Sequence, residues 1–525
     1  MSTHCPVIVR MYRGILGDCF LLRIGPERAR SHILIDCGVL QGVEKGRTRM
    51  RAIVENIAVT TGGIIECLIV THEHFDHISG FQYAEDLFAK MTIKSLWLAW
   101  TEDPNDGLGV ELQSRFAAAH RKLAALQLRM TPEPARDVQQ RTSSPPVSTS
   151  DLDQDEKRIL GLAGFRFDGP QDHDGRALAA KGGSRGSKAI YEKLREWVKK
   201  EDSARKPDYL SPGDVLPTPG AAQLTAYVLG PPREEKFLFK ALPSAGEAKE
   251  TYLASPTGAD MASTGSPFAP RYRWATPDQL IGDGPGEKFV REAYLADHAP
   301  CRYAGGTVPK GHACEVDFLC LRYQAYRRID DTTRLAESAL ALKMDSNTNN
   351  SSLVIAFELP SEGGGRSTMI FAADAQVGNW LSWEKVEFRD RKTREKLDVT
   401  TADLLGRAVL YKVGHHGSHN ATLRAKGLEL MTSDRLVAMI PTVQAVALEQ
   451  GSKGWLMPNP ETYKGLIRQT KGRILRGDLN TNDGTVRAEI EKLIESDPEF
   501  EGFALEDIAP ALTETDLYVD YTVMP

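Results

Sequence analysis

The run Thr71-His72-Glu73-His74-Phe75-Asp76-His77 carries the pattern HxHxDH, in a chain that has only 12 histidines in 525 residues. Alternating His72 and His74 can turn two imidazoles to one side of a tight turn, and Asp76 and His77 follow at a spacing suited to a second ion close by. Mixed imidazole and carboxylate donors suit zinc, manganese or iron. A loose surface cluster is the plain alternative, and the low chance of this pattern disfavours it. A second run, Tyr411-Lys412-Val413-Gly414-His415-His416-Gly417-Ser418-His419, brings the histidines held by these two segments to six. Two single acids have a related form. Asp374 ends the apolar stretch Ile370-Phe371-Ala372-Ala373 and could bridge two cations; a helix cap or turn residue is an equal reading for it alone. Asp36 ends Ile33-Leu34-Ile35 and could orient a ligand histidine from behind.

Each of these segments must be delivered by an element. The mostly apolar run Ile64 to Val70 stops at Thr71, as a buried strand would, and Ala408 to Val413 leads into the second histidine run. Val7 to Met11, Cys19 to Ile24, His32 to Ile35 and Ser95 to Trp100 read as further strands. Ala222 to Leu229, Ser352 to Leu359, Thr368 to Ala372, Arg435 to Ile440 and Tyr518 to Val523 complete the set, with a hairpin connection at Glu362 to Arg366. Apolar spacing predicts a helix over Ile78 to Lys90, and others over Phe116 to Met130, Ser187 to Asp202 and Asp331 to Met344. Thr131 to Glu156 is rich in Pro, Ser and Thr and reads as a linker. Because bound ligands converge on strand ends in layered folds, the two histidine runs are expected to face each other.

Composition sets the limits. Hydrophobic residues make up 41% and charged residues 26%, which excludes wholesale disorder. A net charge of -6 excludes a general nucleic-acid coat, so any contact with nucleic acid must be local. The seven cysteines are odd in number and form no CxxC pair, which argues against a disulfide framework or a cysteine zinc site. No apolar run reaches the roughly 20 residues that span a bilayer, and the opening Met-Ser-Thr-His-Cys-Pro carries no secretory pattern. The expectation is a cytoplasmic protein without a membrane contact.

The segment His72-x-His74-x-Asp76-His77 resembles the signature of the metallo-β-lactamase superfamily, and Asp36, His72 to His77, Asp374 and His415/His416 stand in the order of that superfamily's motifs. Within it, the chain bears a closer resemblance to the hydrolase domain of bacterial DNA-uptake channel proteins (ComEC-type). Gly17-Asp18-Cys19, Val228-Leu229-Gly230-Pro231-Pro232, Asn349-Asn350-Ser351-Ser352-Leu353-Val354 and Lys412 to Ser418 carry that similarity. The resemblance implies an α/β protein, an αββα metallo-β-lactamase sandwich with large insertions between the metal-binding motifs. The first half of the core would lie in residues 1–100, a core strand in 215–232 and the second half in 341–525. Residues 101–214 would be a helical insertion with a flexible Pro/Ser-rich segment, and 233–340 a second insertion.

It also implies roles. His72 and His74 would hold one ion; Asp76, His77 and one of His415 or His416 would hold another, with Asp374 shared. His416 is favoured over His415 because Gly417 follows it, where the backbone can turn. One or two Zn²⁺ or Mn²⁺ ions would activate a water that Asp76 orients. Lys412, Ser418 and the basic segment Arg47, Arg49 and Arg51 are candidates to hold a phosphate. Solvated surface charge is an equal reading for the arginines, and Lys412 can equally point away because strand neighbours alternate faces. The superfamily's further ligand histidine has no convincing match among His120, His173, His298 and His312, so it is read as absent or replaced near Asn349 or Asn350. Trp380 and Trp383 read as core packing ahead of pocket lining. The expected function is a metal-dependent phosphodiesterase or nuclease acting on DNA or another phosphodiester. A hydrolase of a small ester, lactone or phosphoester, or a degenerate binding module, are the alternatives, since one fold serves many chemistries.

Overall fold

The computed structural model describes residues 6–40, 43–117, 187–200, 202–240, 243, 250–252, 302–303, 306–307, 346–361, 365–450, 455–495, 500 and 503–523. The chain is mixed α/β. It divides into one unit formed by Met1–Ala254 with Leu340–Pro525 and a second formed by Ser255–Ala339.

In chain order the strands of the first part are β1 (Val7–Tyr12), β2 (Phe20–Ile24), β3 (Ser31–Ile35), β4 (Ile64–Ile65), β5 (Cys67–Val70), β6 (Thr92–Ile93), β7 (Leu96–Ala99), β8 (Asp208–Leu210), β9 (Asp214–Thr218) and β10 (Ala221–Gly230). A short hairpin, β11 (Arg302–Tyr303) with β12 (Gly306–Thr307), lies in the second unit. Then follow β13 (Val354–Pro360), β14 (Arg366–Phe371), β15 (Arg389–Asp390), β16 (Ala408–Lys412), β17 (Val437–Ile440), β18 (Ile474–Arg476), β19 (Leu512–Glu514) and β20 (Tyr518–Val523). Two eight-stranded sheets result, ordered β19-β20-β1-β2-β3-β5-β7-β8 and β15-β9-β10-β13-β14-β16-β17-β18, while β4 pairs with β6. In each large sheet a run of antiparallel pairs changes to parallel pairing, at β3–β5 and at β14–β16, and the edge strand β15 also pairs parallel, with β9.

Strand alternation explains the layering. Val9, Leu22, Ile33, Ile69 and Trp97 of the first sheet share an apolar cluster with Phe357, Phe371, Leu410 and Val437 of the second, and Phe20 meets Phe371 edge to face at 5.8 Å. The residues one step away, Leu21, Leu34, Leu68, Val70 and Leu98, enter a separate cluster with helices. Those helices are α1 (Gly46–Thr61), α2 (Phe75–Tyr83), α3 (Glu85–Phe88) and α4 (Ser187–Lys199). Buried Met50, Ile53, Val54 and Ile57 give α1 its apolar stripe, and Ile190, Tyr191, Leu194 and Val198 do the same for α4. Both faces of the first sheet are therefore covered, which is why its central strands are continuously apolar.

Two readings change in detail. The helix expected over Ile78 to Lys90 starts earlier, at Phe75, and is broken at Ala84, whose backbone leaves helical geometry (φ -126°, ψ 35°). The run Ile64 to Val70 divides into β4 and β5, which pair with different partners. The linker Thr131 to Glu156, the helix Asp331 to Met344, nearly all of Phe116 to Met130, and His120, His173, His298 and His312 lie outside the described residues. Among the described residues no helix is long and apolar enough to cross a membrane.

Candidate metal centre

Parallel pairing brings the chemistry to one place. In β3 and β5, Ile35 is level with Ile69, so Asp36 and Thr71 emerge together at the carboxyl ends; in β14 and β16, Phe371 is level with Lys412, so Asp374 emerges beside the second histidine run. The His415 N–H then donates to the Ala373 carbonyl at 3.1 Å. His415 and His416 both adopt left-handed backbone (φ 42° and 54°), as do Asp36 and Ala373 (φ 53° and 48°). Such conformations are uncommon outside glycine and concentrate where a site dictates side-chain direction.

The two motifs meet. His416 Nε2 lies 3.0 Å from Asp76 Oδ2 and 4.0 Å from Asp374 Oδ2, while His77 Nε2 lies 3.0 Å from Asp374 Oδ2 and 3.8 Å from Asp76 Oδ2. Four donors around a zinc ion at its usual bond lengths stand about 3.3 Å apart, so this spacing fits a tetrahedral site. The far edges of both rings are fixed: His77 Nδ1 is 2.8 Å from Asp36 Oδ2, and His416 Nδ1 is 2.7 Å from the Pro441 carbonyl. Those contacts commit each Nδ1 to carrying hydrogen and leave each Nε2 lone pair for an ion. The Thr71 N–H and hydroxyl also donate to Asp36, at 2.8 and 2.6 Å.

A second donor set adjoins the first. His72 Nε2 lies 3.1 Å from His74 Nδ1 and 3.8 Å from Asp374 Oδ2. Oδ2 of Asp374 thus stands where the two sets touch. By distance alone, Asp18, His77, Asp374 and His416 form one group that could hold a metal ion and His72, His74 and Asp374 another, all of them buried. Asp18 belongs to the surroundings rather than the ligands. Its oxygens face the Nδ1 edges of His77 and His416 at 3.8 and 3.9 Å, and those edges already have nearer acceptors.

The buried acids fit a cation. Neither oxygen of Asp374, nor Oδ1 of Asp76, receives an aligned hydrogen bond, although both residues are fully buried. A carboxylate so placed is costly unless a positive charge supplies the missing partner. Burial drives the His74 imidazole down to about 3 and that of His415 down to about 4. Burial also takes His72 well below the ordinary value, with His77 and His74 adding to it. His77 goes the other way. Burial opposes its charge, but Asp374, Asp18, Asp76 and Asp36 lift it well above the usual range. His416 is raised against burial by Asp374, Asp76 and Asp18. Burial alone would raise Asp374 and Asp76; the neighbouring imidazoles hold both below the ordinary carboxylate value.

The other candidates fall into place around this cluster. His415 lies beside it, with Nδ1 2.9 Å from Ser418 Oγ and its ring centre 5.9 Å from that of His416. Lys412 turns inward: its ammonium donates to the Ala373 carbonyl at 2.9 Å, pairs with Asp18 and lies 3.7 Å from Asp374 Oδ1. Asn350 uses its side chain on backbone, donating to the Lys240 carbonyl and accepting from the Asn379 N–H. Arg47, Arg49 and Arg51 are helical, in α1, and each is engaged: with the Tyr83 ring, with the Arg13 and Asp516 carbonyls, and with Asp86. Trp380 and Trp383 are core residues whose ring N–H groups donate to the Ala421 carbonyl and to Asn379. Asp18, Thr71 and the Pro441 carbonyl are participants that sequence reasoning left without a role. Asp18 could have been found, since Gly17-Asp18-Cys19 is one of the segments that carries the family resemblance. Compared with models of protein families, with curated proteins and with solved structures, the chain gives no match.

Proposed function

We propose that this chain is a metal-dependent hydrolase of the metallo-β-lactamase superfamily, built on the αββα sandwich, and that it cleaves phosphodiesters, with DNA as the favoured substrate. The observation that carries the reading is the junction at Asp374, where the set from His72 and His74 meets the set from Asp76, His77 and His416 at one buried oxygen. Two large sheets that share one core, with helices against the outer face of the first, support the sandwich. The four segments similar to DNA-uptake hydrolase domains support the substrate class.

On this reading His72 and His74 would hold one Zn²⁺ or Mn²⁺ ion and Asp76, His77 and His416 the other, with Asp374 shared. Such ions would supply Lewis acidity, lowering the pKa of a water and offsetting charge that develops on a phosphoryl oxygen. Asp76 keeps Oδ1 without a donor, so that oxygen is available to accept a proton from the attacking water and aim it. Asp36 and the Pro441 carbonyl hold the two rings so that Nε2 faces inward.

The test is direct. Metal content of the purified protein is measured, and linear and circular DNA, RNA, bis-p-nitrophenyl phosphate and a lactone are offered with Mn²⁺ or Zn²⁺. Phosphodiester cleavage is expected, with Asp76→Ala and His416→Ala each lowering turnover by about a hundredfold or more while circular dichroism shows the fold retained. Cleavage of the lactone alone, or a protein that takes up no divalent ion, overturns the reading.

A further inference from the structure

We propose that the buried Asp18–Lys412 ion pair is a positioning device for the metal centre: it ties the ligands carried by the first sheet to those carried by the second and sets the orientation of Asp374. The inference rests on the proposed function, since it concerns how that site is held.

The pair bridges the two halves of the site. Asp18 precedes β2 and is clamped to the first histidine motif by its backbone: its N–H donates to the Asp76 carbonyl at 3.0 Å, and its own carbonyl accepts from the Gly38 N–H at 3.0 Å. Lys412 closes β16, and its ammonium holds the Ala373 carbonyl at 2.9 Å, next to Asp374. That same carbonyl accepts from the His415 N–H, so one oxygen organises both the turn that presents Asp374 and the turn that presents His416. The ion pair between Asp18 and Lys412 therefore joins the backbone behind Asp76 to the backbone behind Asp374 and His416.

It also discriminates between the oxygens of Asp374. Oδ1 faces the Lys412 ammonium at 3.7 Å, whereas Oδ2 faces the Nε2 atoms of His77, His72 and His416 at 3.0, 3.8 and 4.0 Å. An ammonium beside one oxygen of a carboxylate favours the orientation that turns the other oxygen away from it. Lys412 is 1% exposed, so its charge serves the interior and not the surface. Groups one layer behind metal ligands act in this way, by fixing orientation.

A purely structural pair would make a different prediction. Asp18 and Lys412 cancel in charge, so replacing both with neutral residues of similar shape leaves the net charge of the cluster unchanged and leaves no unpaired ion buried. The double variant Asp18→Asn/Lys412→Met is compared with wild type and with Lys412→Met alone. Mn²⁺ is titrated while free ion is followed by electron paramagnetic resonance, and the melting temperature of the chelated protein is recorded. Expected for the double variant is a metal-free melting temperature close to wild type together with Mn²⁺ binding weakened by about ten- to a hundredfold and an altered bound spectrum. The single variant is expected to melt lower as well, because Asp18 then loses its counter-charge. A double variant that binds Mn²⁺ with wild-type affinity and line shape overturns the inference while leaving the metal reading intact. A wild type that takes up no Mn²⁺ removes the metal reading and this inference with it.

Discussion

At His77 and His416 a proton and a divalent ion compete for the same Nε2 atoms. The acids around them raise both imidazoles above the ordinary value, and the same contacts keep Asp374 and Asp76 ionised. His72, His74 and His415 are pushed down by burial and are neutral at physiological pH. One donor set is thus ready for a cation, while at the other protonation competes with binding. The sign follows from linkage. A raised imidazole stabilises the metal-free fold fully below its unfolded value, near 6.5, and that contribution is lost as pH climbs through the folded value. Metal binding has the opposite slope, because each displaced proton makes affinity rise by about tenfold per pH unit until the imidazole has titrated. Between pH 6 and 9 the chelated protein should therefore lose melting temperature while the increment given by Mn²⁺ grows. Calorimetric titration in two buffers of different ionisation enthalpy should count protons released at pH 7, and zero release would contradict the paired assignment of His77 and His416.

The elements that deliver these side chains leave unequal marks in the sequence. Strands that lead into the site are legible as apolar runs stopping at a polar residue, Asp36, Thr71 or Asp374, although for Asp374 alone a turn residue reads equally well. The start of α2 is not legible: Asp76 and His77 fill its first turn, so the residues that open the helix are ligands and break its apolar periodicity. Short partners such as β8, β9 and β18 were missed for a different reason, since three to five residues carry too little pattern to stand apart from a loop. The resemblance marked the segment that holds Asp18, but its pairing with Lys412, some four hundred positions later, is visible only in the fold. The close packing of loops behind α2 was equally invisible. A Cβ built on Gly38 would stand 2.3 Å from the Asp76 carbonyl oxygen and 2.4 Å from the His77 nitrogen. Gly38→Ala must push the start of α2 away from β3. It is expected to cost about 1–3 kcal/mol of stability, read as a lower denaturation midpoint. Mn²⁺ affinity should fall with it, because the displaced backbone carries Asp76 and His77. A midpoint loss without any change in affinity would mean that the ligands do not depend on that contact.

At the scale of the whole chain, two features contribute no donor to the centre and should separate from it in experiment. Every residue of both donor sets belongs to the unit formed by Met1–Ala254 with Leu340–Pro525, and none to Ser255–Ala339. Replacing residues 255–339 with a flexible Gly/Ser linker should leave a folded protein that binds as many Mn²⁺ ions as the full chain; loss of the ions would show that this unit completes the site. The other feature closes the fold. Strand β20, from the end of the sequence, pairs along the whole of β1, and Asp520 takes the buried Arg10 on both carboxylate oxygens while also pairing with Arg23. The Arg10 guanidinium lies 3.4 Å from the centre of the Tyr518 ring, so its stem and charge are both enclosed. Removing the acid leaves two guanidinium groups facing each other with no counter-charge, the situation in which a broken buried pair costs about 3–5 kcal/mol. Three strands, β1, β2 and β3, separate β20 from β5, and no group is shared with the metal ligands. Sites that share no partner act additively. Asp520→Ala should therefore lower the denaturation midpoint strongly while Mn²⁺ affinity per folded molecule stays at the wild-type value. A parallel fall in affinity would show that the first sheet transmits strain from its β20 edge to the histidines at its centre.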